Sequence, residues 1–347
     1  MAHNLRKHYA HMAGIMNQTK QMKCYICDQT MAPLLVMKNV KNAWDIKRCP
    51  ACELTFVDPQ PDSDTISAYY NGMYSDLTEK YDAAKMETVR TAINGYLSSL
   101  KKYKAVDGKT TLLDIGGGLG YYAKGFSEAG LAVTFVEQDP VSANFARTVL
   151  KLPNIIEMSA ERFFEMNTAK FDLIFLRHVI EHSTNPGFMI AQVQKCLSEG
   201  GILVIETDNN AGIEILFRPG PAKFYLGLYR ASFVPTSFFS LLKRRPFAVD
   251  PPRHLFGFRM SNLSMLLRRN SLFPVEGTCY RLGHPVYWGN MPLPTLRDMF
   301  ANARQGKFKQ VIANVADVVL TPFRRCLEYL GLASGICIYA IKRQVAK

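Results

Sequence analysis

The sequence predicts an α/β protein built on a mostly parallel sheet with helices on both faces, preceded by a small ribbon and interrupted by a helical lid. Three observations carry that prediction. Apolar strand segments alternate with amphipathic stretches between residues 109 and 209, at the spacing of βαβ units. A glycine-rich turn, "DIGGGLG", closes the first of those strands. Two Cys-x-x-Cys pairs stand ahead of the whole pattern.

The 347 residues are 48% hydrophobic and 20% charged, enough to bury at least one sizeable core and, as a soft prior, two units. A formal net charge of +13 favours an acidic partner: nucleic acid, an anionic membrane surface, or a phosphorylated or nucleotide-linked small molecule. The longest apolar run, "YLGLASGICIYAI", is shorter than the roughly 18 residues of a membrane span. The opening "MAHNLRKHYAHMAGIMNQTK" lacks the continuous apolar core of a signal peptide. A cytoplasmic location is the expectation.

The two pairs are Cys24-x-x-Cys27 and Cys49-x-x-Cys52, with 21 residues between them. Each such turn can aim two thiolates at one point, and two turns supply the four soft ligands of a tetrahedral zinc. Four protein ligands leave no position for water, so the zinc predicted here is structural, and residues 20–60 read as a zinc ribbon. A redox motif would be a single Cys-x-x-Cys near a βαβ unit, whereas both pairs precede it. Cys196, Cys279, Cys326 and Cys337 stand singly in apolar segments and read as small buried hydrophobes.

"DPQPDSDTISAYY" combines turn residues with a helix start and ends the ribbon. Residues 61–108 read as a helical linker, with apolar positions three and four apart over 64–105. The core, 109–210, starts with an apolar strand (Leu112, Leu113, Ile115) running into Gly116, Gly117, Gly118 and Gly120, then a helix. A second strand, "AVTFVE", ends at Glu137. A helix near 141–150 and a short strand at Ile155 and Ile156 follow, then a fourth strand, "FDLIFL", which leads into "RHVIEH". A helix over 187–197 and a fifth strand, "GGILVIET", complete the unit. In such a sheet the ligand crevice lies at the C-terminal strand ends.

Counting from Gly116 or Gly118, the third glycine of a dinucleotide fingerprint would fall at Tyr121 or Ala123, so that reading fails. Present instead is Asp114-x-Gly116-x-Gly118-x-Gly120, with Glu137 ending the next strand. "LLDIGGGLG" resembles motif I of the class I S-adenosylmethionine-dependent methyltransferases, and the resemblance extends through the five strands. It implies that family's Rossmann-like fold and S-adenosylmethionine as cofactor. Gly116, Gly118 and Gly120 would let the backbone approach the cofactor's methionine part. Asp114 would lie near its amino group, and Glu137 would accept from both ribose hydroxyls. Ser159 and Ala160 stand where Asp-Ala is common in the family, at the adenine, with backbone groups or Glu161 as alternative contacts. Arg177, ending the fourth strand, joins the cofactor-binding set.

"RHVIEH" spells His-x-x-Glu-His, an inverted zinc-protease pattern. A protease would need a third ligand and a helix outside a cofactor fold; here the pattern follows the fourth strand, where related methyltransferases often end in Glu-His. His178 and His182 are therefore expected over the cofactor and substrate pocket. Some ubiquinone-biosynthesis O-methyltransferases, which this core also resembles, bind a divalent cation in this loop. Glu181 and His182 match that motif, but His178 replaces a glutamate. The plainer reading is that His182 packs structurally and His178 lines the pocket without catalysing.

Residues 211–258 read as a lid or substrate insertion. The stretch 211–250 interleaves Phe, Leu, Tyr and Pro with Arg218, Lys223, Arg230, Lys243, Arg244 and Arg245; the same composition suits peripheral contact with an anionic membrane at its inner face. "DPPRHLFGFRMSNLSMLLRRNSLFPVEG" resembles the family's segment after the lid. Ser261 can cap its helix, and Leu263, Leu266 and Leu267 share a face. His254 is the first candidate for general base or substrate contact, ahead of His178 and His182, since a neutral imidazole suits proton removal near neutral pH; its plain alternative is a loop-fixing histidine. Residues 259–347 complete the domain, with "SGICIYAIKR" as closing strand.

Sugar methyltransferases, including C-methyltransferases of nucleotide-linked deoxysugars, have a similar N-terminal zinc region. That resemblance implies a small anionic saccharide acceptor, nucleotide-linked or lipid-linked, in surface-glycan biosynthesis. One alternative is a quinone or isoprenoid-phenol O-methyltransferase. Another is a nucleic-acid-binding ribbon on a non-catalytic fold, for which "LLVMKNVKNAWDIKRCP" offers Lys38, Lys41, Lys47, Arg48 and Trp44. Basic patches often serve other anions, so nucleic acid is not the expected partner.

Overall fold

The computed structural model describes residues 21–74, 80–217, 223, 226–227, 245, 247–280, 304, 306, 315, 319, 322–323 and 325–343. About half of the predicted lid falls outside them, including Arg218, Arg230, Lys243 and Arg244. Among the described residues no helix is long and apolar enough to cross a membrane.

The chain opens with an antiparallel hairpin, β1 (Met22–Lys23) and β2 (Thr30–Met31), whose turn holds the first cysteine pair. A meander follows: β3 (Leu34–Val40), β4 (Trp44–Arg48) and β5 (Thr55–Asp58). The second pair sits in the β4–β5 turn, closed by Cys49 N donating to Leu54 O at 2.9 Å. Two helices come next, α1 (Ser63–Tyr74) and α2 (Ala83–Leu100). Asp82 caps α2 by accepting from Lys85 N, and Met86, Val89, Ile93, Tyr96 and Leu100 bury one face of it at helical spacing.

The central sheet contains β6 (Thr111–Ile115), β7 (Ala132–Glu137), β8 (Ile155–Glu157), β9 (Phe171–Arg177) and β10 (Leu197–Asp208), all parallel. Helices α3 (Tyr121–Glu128), α4 (Pro140–Thr148), α5 (Ala160–Met166) and α6 (Pro186–Cys196) connect them. Asp139 before Pro140 and Asn185 before Pro186 give two of these helices a side-chain cap with proline in the first turn. After β10 come β11 (Phe256–Gly257), α7 (Met260–Arg269), β12 (Leu272–Tyr280) and the antiparallel β13 (Gly335–Lys342), which inserts between β10 and β12. The sheet order is β12-β13-β10-β9-β6-β7-β8, a Rossmann-like methyltransferase arrangement. The chain grows outward from β6 to β8 and then returns to β9 on β6's other side, which makes the C-terminal ends of β6 and β9 the switch point where a crevice opens.

Two local expectations change. α7 begins at Met260, and Asn262 Oδ1 rather than Ser261 accepts from the Arg259 amide, at 2.9 Å. The ribbon is also not a separate body, because β11 adds to its meander, with Phe256 opposite Phe56 and Gly257 opposite Thr55. Cys24, Cys27 and Cys49 share one buried cluster with Leu255, Phe256 and Leu263.

Candidate functional site

A cavity of about 830 Å³ opens at the switch point, within the roughly 300–1,000 Å³ of small-molecule sites. The β6 end and its glycine turn form the floor, with Gly116 and Gly118 on the wall. Gly118 has φ +58°, and a Cβ there would meet nothing within 4 Å, so its backbone is strained for any side chain and open toward the cavity. Gly117 is needed for packing: its Cβ would fall 2.7 Å from Asp114 Oδ2 and 2.8 Å from Phe135. Gly120, at φ +82°, faces Ala146 and Leu152 rather than the cavity.

Two carboxylates underlie this turn. Glu137 lines the cavity and accepts from the Gly118 and Asp139 amides, both at 2.9 Å. Each oxygen keeps a further lone pair, which leaves the pair able to take two hydroxyls. Burial raises its pKa. Asp114 is 1% exposed, and neither oxygen has a hydrogen-bond partner among the described residues. Burial first, and the Glu137 charge second, push it up to about 7. A buried carboxylate without donors is costly, and Asp114, unlike Glu137, lies behind the glycine turn rather than on the cavity wall, where its charge favours a cationic group on the ligand side of the turn. Ala160 and Glu161 line the cavity, whereas Ser159 caps α5 by accepting from Arg162 N.

Arg177 does not line the cavity. Its Nε donates to Glu206 Oε2 at 3.0 Å, and its guanidinium lies 4.5 Å from the Tyr122 ring centroid. Arg177 and Glu206 are registered opposite each other on β9 and β10. Tyr96 and Tyr280 also donate to Glu206, completing a buried structural network.

The opposite wall carries the three histidines. His178 has φ +53°, a strained conformation for a residue with a Cβ. Its Nδ1 lies 3.0 Å from Glu181 Oε1 and 3.3 Å from Asp208 Oδ1. Burial opposes its charge, but those two carboxylates outweigh burial and raise it to about 10. His182, in a 3-10 turn (Ile180–His182) rather than an α-helix, has Nδ1 2.9 Å from the Arg253 carbonyl and 2.7 Å from Tyr70 Oη. A carbonyl only accepts, so Nδ1 carries the proton and Nε2 keeps its lone pair. Burial lowers His182 to about 4 and keeps it neutral. His254 is 7% exposed, packs edge-on to His182 with ring centroids 4.7 Å apart, and places Nδ1 3.3 Å from Asp208 Oδ2.

Sequence reasoning missed several parts of this wall. Ser63, Ile66, Ser67 and Tyr70 of α1 line the cavity, so the predicted linker helix is one of its walls. Asp208, at the end of β10, lies between His178 and His254. Glu181, His182 and His254 offer ligand atoms within 4.8 Å of one another. Glu181 is fully buried, however, and its two oxygens are held by His178 and by the Thr207 hydroxyl at 2.9 Å.

The four ribbon cysteines also converge, with all sulfurs within 4.8 Å, Cys24 to Cys52 at 3.6 Å and Cys27 to Cys49 at 3.8 Å. Four sulfurs around a zinc at about 2.3 Å stand about 3.8 Å apart in a tetrahedron, so the donor set fits that metal. The basic residues of the ribbon are largely engaged within the protein. Lys41 bonds to Asp250, Lys47 to Asp58, and Arg48 to Thr55 and the Arg245 carbonyl.

Residues 79–251 match the sequence profile of a family described as a methyltransferase domain. The chain carries a class I methyltransferase domain. An uncharacterized methyltransferase of Mycobacterium bovis is 29% identical over 96 residues, covering 27% of this chain and 38% of that protein. A ubiquinone biosynthesis O-methyltransferase of Caulobacter vibrioides is 30% identical over 103 residues, covering 28% and 41%. The chain thus spans about 38% to 41% of the length of these curated relatives. A solved SAM dependent methyltransferase from Archaeoglobus fulgidus covers 79% of this chain and 100% of its own at 15% identity, with a TM-score of 0.45.

Proposed function

We propose that the chain transfers a methyl group from S-adenosylmethionine to a hydroxyl or acidic carbon of a nucleotide-linked or lipid-linked saccharide in surface-glycan biosynthesis. The observation that carries the cofactor reading is the pairing of Asp114 and Glu137 beneath the open Gly118 backbone. The cofactor, when bound, supplies an electrophilic methyl on a sulfonium. Asp114 suits its ammonium and Glu137 its ribose hydroxyls. The protein's task is alignment, exclusion of water and acceptance of one proton.

His254 is the base this geometry favours. Asp208 Oδ2 stands 3.3 Å from its Nδ1, a placement that favours the proton on Nδ1 and leaves Nε2 to take one from the acceptor. His178 already holds its proton at neutral pH and acts as a fixed cation between Glu181 and Asp208. Cys24, Cys27, Cys49 and Cys52 would hold a structural zinc, and the saccharide reading rests on the resemblance of that region to sugar methyltransferases together with the basic charge. The similarity to the Caulobacter ubiquinone biosynthesis O-methyltransferase favours a quinone acceptor instead, but Glu181 is too committed to His178 and Thr207 to serve a cation readily. The test is incubation of the zinc-replete protein with methyl-labelled S-adenosylmethionine and a panel of nucleotide sugars. Label in a sugar product supports the reading; label transferred only to a quinol would overturn the saccharide assignment.

A further inference from the structure

Arg253 lies on the same cavity wall as His182 and His254. Its backbone is fixed at both ends: the amide donates to Asp250 O at 2.9 Å, and the carbonyl accepts from His182 Nδ1. Its guanidinium is not comparably occupied. The nearest carboxylate oxygen, Asp250 Oδ2, is 3.6 Å away, and the other oxygen of Asp250 is already held by Lys41 at 2.8 Å. Arg253 Nε is buried without a hydrogen-bond partner among the described residues, while the side chain as a whole is 37% exposed. A guanidinium has five donors in a planar fork, shaped for two oxygens of one anion. Ser63 and Ser67, one turn apart on α1, are exposed and also line the cavity.

We infer that Arg253 is a specificity-determining residue that binds an oxyanion of the acceptor, a phosphate or a carboxylate, and so sets the acceptor's nucleophile beside His254. The proposal rests on the methyltransferase reading and adds the charge of the substrate to it. Its location separates it from the cofactor residues: Arg253 is carried by the segment bonded to the ribbon through Lys41, whereas Asp114, Gly118 and Glu137 belong to the ends of β6 and β7 and the turn between them. Nearby positive charge from His178 is neutralised by its two carboxylates, whereas Arg253 has, among the described residues, the longer 3.6 Å contact to Asp250, a carboxylate it shares with Lys41.

The experiment uses the full chain saturated with S-adenosylhomocysteine, so that the adenosine site is filled, and titrates three probes: uridine diphosphate, glucose 1-phosphate and glucuronate. At least one binds the unmodified protein, and Arg253→Gln weakens it roughly ten- to hundred-fold, while Arg253→Lys retains part of the affinity. Binding of the two phosphates alone, or of glucuronate alone, identifies which oxyanion is read. S-adenosylhomocysteine affinity stays unchanged in both variants. If that affinity falls with Arg253→Gln, the guanidinium serves the cofactor's carboxylate and the proposal is wrong. Failure of all three probes to bind the unmodified protein, or equal binding to Arg253→Gln, also overturns it. Failure of S-adenosylhomocysteine itself to bind would instead remove the methyltransferase reading beneath it.

Discussion

Replacing Asp114 with Asn should make the ligand-free protein more stable and the cofactor complex weaker. Both Asp114 oxygens are buried and without donors, and the carboxyl is raised from 3.8 to about 7. At about 1.4 kcal/mol per pH unit, ionised Asp114 costs the folded state up to about 4 kcal/mol. The folded form binds the extra proton between those two values, so stability falls as pH rises from about 4 to about 7, and the full cost is present above that. Asn removes the charge but buries an amide worth about 1–3 kcal/mol of desolvation. A net gain of about 1–3 kcal/mol at pH 8 follows from the difference of these figures. Thermal melts of both proteins without ligand should show the variant a few degrees higher at pH 8, with the gap shrinking toward pH 5. Titration calorimetry should show S-adenosylmethionine affinity reduced roughly ten-fold, as the negative charge behind the glycine turn is lost. A variant less stable at pH 8, or one binding the cofactor with unchanged affinity, would refute the reasoning.

Arg177→Met leaves Glu206 buried with only tyrosine donors, and urea unfolding should show a loss of about 3 kcal/mol, the low end for a broken buried pair because Arg177 is partly exposed. Cofactor affinity should change much less, since Arg177 is off the cavity wall. The ribbon should contain one zinc per chain by elemental analysis, and Cys27→Ser should release it. Because Val57 N donates to Leu255 O and Leu255 N to Glu181 O, loss of the zinc should raise hydrogen exchange at 254–258 more than at the ends of β6 and β7. Equal protection at both places would show that the ribbon does not position the His254 segment.

The strand-turn-helix-strand that carries Asp114, the glycines and Glu137 was legible because it is local: it lies within one βαβ unit, where turn conformation and strand ends follow from short-range sequence. The acceptor half depends on contacts that no spacing encodes. His178 and His254 meet through Asp208, on a different strand from the loop or segment that carries either. Arg177 read as a pocket residue from its place at the end of β9, yet the register of β9 against β10 sets it opposite Glu206. Helical periodicity announced α1 without showing that Tyr70 would reach His182. The β5–β11 pairing joins Phe56 to Phe256, and alternation in either strand alone could not have named its partner.

Titration calorimetry of the purified, zinc-replete protein with S-adenosylmethionine, S-adenosylhomocysteine and NAD tests the central claim most directly. The account predicts that both sulfur compounds bind and NAD does not. A folded protein that binds neither sulfur compound would contradict it and leave the domain a binding module on a methyltransferase fold.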